Sequence, residues 1–224
     1  MPVTEQVLAR LTRLFEANRD PERAAAMRGY MRDRFPFLGI MAPRQRALAR
    51  EATAGAPKPT EDDLRALATA CWARAEREYQ YFACDQLRRH VRVLTPAFLP
   101  TARELITTKP WWDTVDALAS RVVGPLVAAY GIAAAMDDWI GDDDIWVART
   151  ALLHQLFYKG RTDRERLFGY CTRQAGHPDF FIRKAIGWAL REYAKTDPEA
   201  VRAFVAAHVD QLSGLSRREA LKNL

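Results

Sequence analysis

The stretch Trp111-Trp112-Asp113-Thr114-Val115-Asp116-Ala117-Leu118-Ala119 contains the pattern on which the fold prediction rests. Trp112 and Asp116 lie four residues apart, so on a helix the indole and the carboxylate share one face. Asp116 also interrupts an apolar run, and a carboxylate there must have a partner, be exposed to solvent or serve in function. A surface aspartate beside a core tryptophan is the structural alternative to a functional pair.

Most other segments also have the periodicity of amphipathic helices, and strand-like alternation is almost absent from the sequence. Helix-start patterns recur, such as Asp20-Pro21-Glu22 and Asp197-Pro198-Glu199, in which a capping side chain precedes a proline and an acid. We therefore predict an all-α protein with helices at residues 3–18, 21–34, 42–54, 60–74, 76–91, 96–107, 111–122, 126–139, 143–158, 163–175, 179–195, 198–211 and 216–223.

The tryptophans Trp112, Trp146 and Trp188 recur at intervals of about 34 and 42 residues. These intervals are near the period of stacked helix pairs of the HEAT or armadillo kind. The repeats are not visibly alike, so a plain helical bundle is an alternative, but many short and closely connected helices favour a solenoid. The only linker-like stretch, residues 55–59, is too brief to mark a boundary, and we predict a single repeat domain over 1–224.

The composition is that of a soluble globular protein and excludes wholesale disorder. Of the 224 residues, 49% are hydrophobic and 28% are charged. The formal net charge of +6 is compatible with a polyanionic partner such as nucleic acid. A coding bias towards arginine and alanine would produce the same charge, so the charge alone does not decide between the two.

Several features of the sequence predict a cytoplasmic protein without a metal site. The three cysteines have no Cys-x-x-Cys spacing, which indicates a reducing compartment. The four histidines are isolated from other metal-ligand residues, so we expect no metal and no cofactor. The N-terminal residues lack the apolar core of a signal peptide, and the longest apolar stretch, 122–136, is too short to cross a membrane.

The predicted helix at 179–195 carries a stripe of one indole between two cations. Lys184, Trp188 and Arg191 lie at positions i, i+4 and i+7. Burial of this stripe would leave two charges without evident partners, which is costly. We therefore expect the stripe to face solvent as a polyanion-binding surface, with a half-buried indole covered by aliphatic stems as the alternative.

Two further segments have a functional and a structural interpretation. Trp146 and Arg149 are three residues apart and share a helical face, but an arginine beside an apolar helix can also be a snorkelling surface residue. Nearer the N-terminus, a basic helix that carries Tyr30 ends in a turn set by Pro36 and Gly39. The apolar side chains around that turn are predicted to pack in the core: Phe35, Phe37, Leu38 and Ile40.

Together these segments resemble the bacterial DNA alkylation repair glycosylases of the AlkD family. The resemblance covers most of the chain, through the blocks 27–40, 111–116, 146–155 and 179–193. Its most specific parts are Phe35–Ile40 and Trp112–Asp116, which occur together in this order. The resemblance implies a right-handed superhelical α-solenoid of HEAT-like helix-pair repeats, with a basic concave face that cradles duplex DNA.

The resemblance also implies roles for five residues. Asp116 matches the catalytic carboxylate, and Trp112 and Trp188 match the aromatic walls around the lesion nucleotide. Arg149 matches the active-site arginine, which we expect to hold a phosphate near the lesion. Tyr30 falls where the family has a tyrosine near the same cleft, and we take it as a DNA contact.

Three cations of the Trp188 helix are additions of our own. We predict Lys184 and Arg191 as phosphate contacts, with Arg183 beside them as a further DNA contact. Trp111 and Asp113 are expected to serve packing and the helix start instead of chemistry.

The activity implied by the resemblance is hydrolysis of the N-glycosidic bond of N3- or N7-alkylated purines in duplex DNA. We expect a monofunctional enzyme that acts as a monomer, leaves an abasic site and associates with the nucleoid. The main alternative is a non-catalytic HEAT-repeat module that binds damaged or branched DNA, and a second is a protein-binding helical scaffold. The joint presence of Trp112, Asp116, Arg149 and Trp188 favours the enzyme.

Overall fold

The computed structural model describes residues 3–224, which fold into α-helices and short helical turns without any strand among them. This confirms the predicted all-α class. The α-helices are α1 (Val3–Glu16), α2 (Pro21–Tyr30), α3 (Ala42–Thr53), α4 (Glu61–Ala73), α5 (Arg77–Arg89), α6 (Leu99–Thr107), α7 (Trp112–Leu118), α8 (Gly124–Tyr130), α9 (Ala134–Trp139), α10 (Ile145–Leu153), α11 (Arg164–Arg173), α12 (Phe180–Tyr193), α13 (Pro198–Ala207) and α14 (Gly214–Ala220). The shorter elements are 3-10 turns at Val91–Val93, Pro96–Phe98 and Lys159–Arg161 and a π-helical segment at Ala119–Val123.

Two predicted helices differ from the observed ones because of left-handed backbone conformations. The helix predicted at 126–139 is divided into α8 and α9 at Gly131, whose φ of 65° ends α8. The second predicted helix stops early, at Tyr30, because Arg32 and Asp33 both have positive φ, 54° and 57°. A non-glycine residue in this conformation is strained, and the helical periodicity of the sequence does not reveal it.

The chain divides into two compact units, one that ends at Thr101 and one that begins at Ala102. In the first unit α1 packs against α3 and α4, and α5 packs against both α3 and α4. In the second unit α10 packs against α7 and α12, and α12 packs in turn against α14. Side-by-side packing of helices that are not neighbours in sequence is typical of an α-solenoid. The handedness, the HEAT-like repeats and the single domain stay predictions.

The amphipathic faces of the helices form an apolar core in each unit. Each of these core side chains is almost inaccessible to solvent, and burial of one such side chain stabilises the fold by about 1.5–3 kcal/mol. Core residues of the first unit include Leu11, Phe15, Leu48, Leu64 and Phe82, and those of the second include Leu118, Val147, Leu153, Ile182 and Ile186.

A buried carboxylate fixes the segment that follows α2 in the first unit. Glu78, on α5, is inaccessible to solvent, and its carboxylate accepts hydrogen bonds from the main-chain N–H groups of Leu38 (3.0 Å), Gly39 (2.9 Å) and Ile40 (3.2 Å). Burial raises the pKa of the Glu78 carboxyl, while these hydrogen bonds oppose the shift. The predicted packing role is confirmed for the apolar residues of the segment, which are all buried: Phe35, Phe37, Leu38 and Ile40.

Gly39 brings this segment into main-chain contact with the start of α2. Its φ is +88°, and a Cβ atom added there would lie 2.1 Å from the carbonyl oxygen of Asp20 and 2.8 Å from the amide nitrogen of Ala24. The main-chain N–H of Asp20 donates to the carbonyl of Leu38 at 2.8 Å. The approach is possible only because residue 39 has no side chain.

We expect Gly39→Ala to lower the free energy of unfolding by more than about 2 kcal/mol, because strain at positive φ adds to a main-chain clash. Gly55→Ala is the matched control, since Gly55 also has a positive φ (+72°) but a Cβ atom there would meet nothing. The control should lose only about 1–2 kcal/mol from backbone strain. Urea denaturation of both variants measures the difference, and equal losses would contradict the clash.

Candidate active site

A buried ion pair between Asp116 on α7 and Arg149 on α10 forms the centre of the candidate site. Arg149 Nε lies 2.7 Å from Asp116 Oδ1, and Arg149 Nη2 lies 2.8 Å from Asp116 Oδ2. The pair is therefore bidentate, the strongest geometry for a guanidinium and a carboxylate. The Arg149 side chain is 5% exposed and that of Asp116 is 14% exposed, so solvent reaches only the carboxylate to any extent.

Arg149 has a third acceptor on the neighbouring helix. Its Nη1 donates to the main-chain carbonyl of Phe181, in the first turn of α12. The three hydrogen bonds of one guanidinium thus join α7, α10 and α12. Because α7 and α12 both pack against α10, the side chain in the middle fixes the position of the carboxylate relative to both neighbours.

Three aromatic rings pack together beside the ion pair. The Trp111 ring centroid lies 5.8 Å from that of Trp146 and 4.8 Å from that of Phe181. The centroids of the Trp146 and Phe181 rings are 5.0 Å apart. Trp111 is buried at the start of α7, which confirms its predicted packing role. Phe180, which directly precedes Phe181, presents an exposed ring that contacts the Phe181 ring, so the cluster continues to the surface.

The backbone after Asp116 leaves regular α-helical geometry. α7 passes into the π-helical segment Ala119–Val123, and the hydroxyl of Ser120 donates to the Asp116 carbonyl at 2.6 Å. Pro125 follows and has no N–H to donate to the preceding turn. A Cβ atom at Gly124 would lie 2.0 Å from the carbonyl oxygen of His154, so the glycine allows close contact with the end of α10. Such π-helical segments are frequent at functional sites, and we did not predict this one.

Burial raises the pKa of the Asp116 carboxyl above its ordinary value. The charge of Arg149 and its hydrogen bonds oppose this shift, and the negative charge of Asp113 adds to it. Asp116 is thus a carboxylate whose charge depends on its arginine partner. The pair can stabilise a cationic centre or accept a proton at the exposed edge of Asp116.

Both predicted tryptophan walls lie on helices of this site. Trp112 is half-buried in the first turn of α7, and the helix places it one turn before Asp116, as the spacing predicted. Trp188 is half-buried on α12. Their role beside a substrate stays a prediction.

The structure gives Arg149 a different environment from the predicted one. We expected its guanidinium to hold a phosphate, with a snorkelling surface residue as the alternative. Instead the side chain is buried, and three of its nitrogen atoms donate to protein acceptors. A guanidinium with this burial and these bonds has little surface for a phosphate, and its evident task is to hold Asp116.

The two outer cations of the Trp188 stripe share an acidic partner that the sequence interpretation missed. Glu219, on α14, accepts from Lys184 Nζ at 2.9 Å and from Arg191 Nη1 at 2.5 Å. We expected the stripe to face solvent, with a half-buried indole as the alternative; the structure shows Trp188 half-buried and both cations paired with Glu219 of α14. The hydrogen bond from Lys184, which has the largest effect, and the one from Arg191 lower the pKa of the Glu219 carboxyl. Phosphate binding by these two cations stays a prediction.

The remaining predicted DNA contacts lie in different surroundings. Arg183 is half-buried on α12, and its Nε donates to the carbonyl of His177 at 2.8 Å. Tyr30 is 74% exposed at the end of α2, in the first unit. Their contact with DNA stays a prediction.

Within residues 3–224, no three His, Cys, Asp or Glu side chains lie together as a ligand set for a metal ion. None of the helices in that range combines the length and the hydropathy that are needed to cross a bilayer.

Comparison with known proteins identifies the family to which this chain belongs. The family model described as DNA alkylation repair enzyme matches residues 11–224, so the chain is a member of that family. A solved structure from Enterococcus faecalis, named a predicted DNA alkylation repair enzyme, is 33% identical with a TM-score of 0.85. The match covers 92% of this chain and 97% of that one. No curated protein matches the chain.

Membership of this family indicates an enzyme that repairs alkylation damage and has DNA as its substrate.

We expect Arg149→Leu to lower the free energy of unfolding by about 3–5 kcal/mol at neutral pH, because it leaves a buried carboxylate without its partner. The loss should shrink at acidic pH, where Asp116 takes up a proton. Urea denaturation at the two pH values measures this. Arg202→Leu, which breaks an exposed pair with Glu199, is the control and should change stability by less than about 1 kcal/mol. A pH-independent loss in Arg149→Leu would contradict the charge argument.

Proposed function

We propose that this protein is a monofunctional alkylpurine DNA glycosylase of the AlkD type. It hydrolyses the N-glycosidic bond of positively charged N3- or N7-alkylated purines, such as 3-methyladenine and 7-methylguanine, in duplex DNA and leaves an abasic site. The observation that carries the proposal is the Asp116 carboxylate, which Arg149 holds in a nearly dry site with one exposed edge. Membership of the alkylation repair family supports it.

One carboxylate suffices for this substrate class. Ordinary glycoside hydrolysis needs a general acid for the leaving group and a second carboxylate for the sugar. An N3- or N7-alkylated purine already carries a positive charge, so it leaves as a neutral base without protonation. The electrons of the broken C1′–N bond neutralise the ring, and the sugar passes through an oxocarbenium-like state.

Asp116 acts on the sugar in this mechanism. Its negative charge stabilises the developing oxocarbenium ion, and the low polarity around the pair strengthens that interaction. A water molecule attacks C1′, and Asp116 orients it and accepts its proton. Both carboxylate oxygens are bonded to Arg149, but a carboxylate has about four acceptor positions, so capacity for a water remains.

Arg149 is a positioning residue in this proposal. Its three hydrogen bonds fix the orientation of Asp116, and its charge favours the ionised carboxylate against the effect of burial. Trp112 and Trp188 pack on the deoxyribose and exclude water from it. Their π faces attract the cationic nucleotide, which is a further source of affinity for the alkylated base.

The proposal extends to the partner and the setting of the reaction. The substrate is duplex DNA with alkylated bases, and the protein acts as a monomer associated with the nucleoid in the cytoplasm. The phosphate contacts in this proposal come from Arg183, Lys184 and Arg191. Lys184 and Arg191 would release the Glu219 carboxylate and bind phosphate oxygens in its place.

We expect Asp116→Asn to slow release of 7-methylguanine from methylated duplex DNA by at least about 100-fold. The substitution removes both the negative charge that stabilises the sugar cation and the group that accepts the proton of the attacking water. Binding of the same duplex should persist. Chromatography of the released bases and fluorescence anisotropy measure the two quantities. Asp113→Asn, three residues earlier on α7, is the control and should retain release. Full release by Asp116→Asn would exclude the mechanism, and absence of release by the wild type would favour a non-catalytic DNA-binding module.

The rate of base release should fall as the pH decreases, because protonation of Asp116 removes the catalytic charge. Since burial and Asp113 raise the pKa of Asp116, we expect the midpoint above the ordinary aspartate value of about 3.9. Asp113→Asn removes a like charge and should therefore move the midpoint to lower pH. Single-turnover rates across acidic pH, corrected for spontaneous depurination, measure both. A midpoint that is unchanged by Asp113→Asn would contradict the assignment to Asp116.

A further inference from the structure

The first turn of α12 supplies the acceptor that completes the bonding of Arg149. The Phe181 carbonyl accepts from Arg149 Nη1, while Nε and Nη2 of the same guanidinium donate to Asp116. The first turn is the part of a helix in which the main-chain N–H groups have no intrahelical acceptor. The position of the Phe181 carbonyl therefore depends on how the start of α12 is capped.

Asp179 provides this cap. Its Oδ1 accepts from the main-chain N–H of Phe181 at 2.6 Å. Residue 181 is thus held at both of its main-chain groups, since its N–H binds Asp179 and its carbonyl binds Arg149. Asp179 is half-buried, and its carboxylate has no ion-pair partner within residues 3–224. The bond to Phe181 is therefore the evident task of this side chain.

The loop before the cap is also fixed. The main-chain N–H of Asp179 donates to His177 Nδ1 at 3.0 Å, and Arg183 Nε donates to the His177 carbonyl at 2.8 Å. Pro178 lies between His177 and Asp179, and its ring restricts φ. Because the loop is bonded both to itself and to α12, the Asp179 carboxylate is an acceptor in a defined position.

The caps of α10 and α12 share an arrangement that the other capped helices lack. Asp144 and Asp179 each accept from the N–H two residues later, which belongs to Trp146 and to Phe181 respectively. The other α-helices with a side-chain cap in the described part of the chain use the N–H three residues later: α2, α4, α11, α13 and α14. The rings of Trp146 and Phe181 pack on each other. These two caps therefore fix residues that surround the ion pair.

We propose that Asp179 is a positioning residue for the reaction, and that it acts on Asp116 through the Phe181 carbonyl and Arg149. With the cap in place, the carbonyl holds the guanidinium in its bidentate orientation towards the carboxylate. Without the cap, the first turn of α12 frays and the guanidinium loses this support. The inference rests on the proposed function and adds to it a residue outside the ion pair.

The test compares Asp179→Ala with Asp179→Asn. Both variants lose the negative charge, but only asparagine retains an oxygen that can accept from the Phe181 N–H. Asp179→Ala should slow release of 7-methylguanine from methylated duplex DNA by about tenfold, because small displacements of a reacting group have large effects on rate. Its affinity for the duplex should equal that of the wild type. Asp179→Asn should release the base within about twofold of the wild-type rate, since asparagine caps as well as aspartate.

Titration of the Asp116 carboxyl is a second measurement, and it does not require activity. Burial raises the pKa of this carboxyl and Arg149 opposes the rise, so a displaced guanidinium should leave the pKa higher. NMR detection of the carboxyl carbon should therefore give a midpoint at higher pH for Asp179→Ala and an unchanged midpoint for Asp179→Asn. A cap that only stabilised α12 would lower the midpoint of thermal unfolding and leave this titration unchanged.

The matched control is Asp197→Ala on α13. Asp197 also caps its helix, since its side chain accepts from the N–H of Ala200 at 3.0 Å. This variant should lower the midpoint of thermal unfolding as Asp179→Ala does, but keep wild-type base release and the wild-type Asp116 titration. The inference would be overturned by wild-type release and titration in Asp179→Ala. Equal losses in Asp179→Ala and in either Asp179→Asn or Asp197→Ala would overturn it as well.

The two proposals fail in different ways. If the wild-type protein releases no alkylated base, the proposed function fails, and the titration of Asp116 alone decides whether Asp179 positions the ion pair. If the wild type releases the base and Asp179→Ala matches it in release and titration, only the inference about Asp179 fails.

Discussion

The buried guanidinium of Arg149 is the constraint on which the arrangement of the second unit depends. Arginine stays charged in proteins, so its burial requires acceptors of matching geometry. Asp116 and the carbonyl of Phe181 supply them from two different helices. Displacement of α7 along α10 would separate the two charges, and displacement of α12 would leave an N–H group of the guanidinium without its acceptor. The same requirement that holds the helices in place therefore holds the carboxylate in the position that the proposed chemistry needs.

Glu78 and Asp116 are two largely buried carboxylates with contrasting surroundings. Glu78 is inaccessible and accepts from main-chain N–H groups, so it organises a loop and touches no solvent. Asp116 accepts from a side chain on another helix and keeps an exposed edge. Burial raises the pKa of both carboxyl groups, yet only Asp116 keeps an edge that solvent reaches. Solvent exposure and the kind of hydrogen-bond donor therefore distinguish a structural carboxylate from a candidate catalytic one.

The sequence predicts the helices well and the contacts between them poorly. Periodicity defines the face of a helix, so the all-α class and the shared face of Trp112 and Asp116 could be predicted. It does not define what packs on that face. The partner of Arg149 lies 33 residues away, and Glu219 lies on a separate helix, so neither could be found from local spacing. The resemblance to a family predicted Asp116 and Arg149 as site residues, but it did not predict the ion pair between them.

The bond from Arg149 to α12 ends on the main-chain carbonyl of residue 181 and not on the aromatic ring. A change of side chain at this position alters the packing against Trp111 and Trp146 but leaves the acceptor in place. The aromatic surroundings of the site are thus separable from its charges. Sequence drift at residue 181 can therefore reshape the apolar surroundings of the ion pair while the pair itself persists.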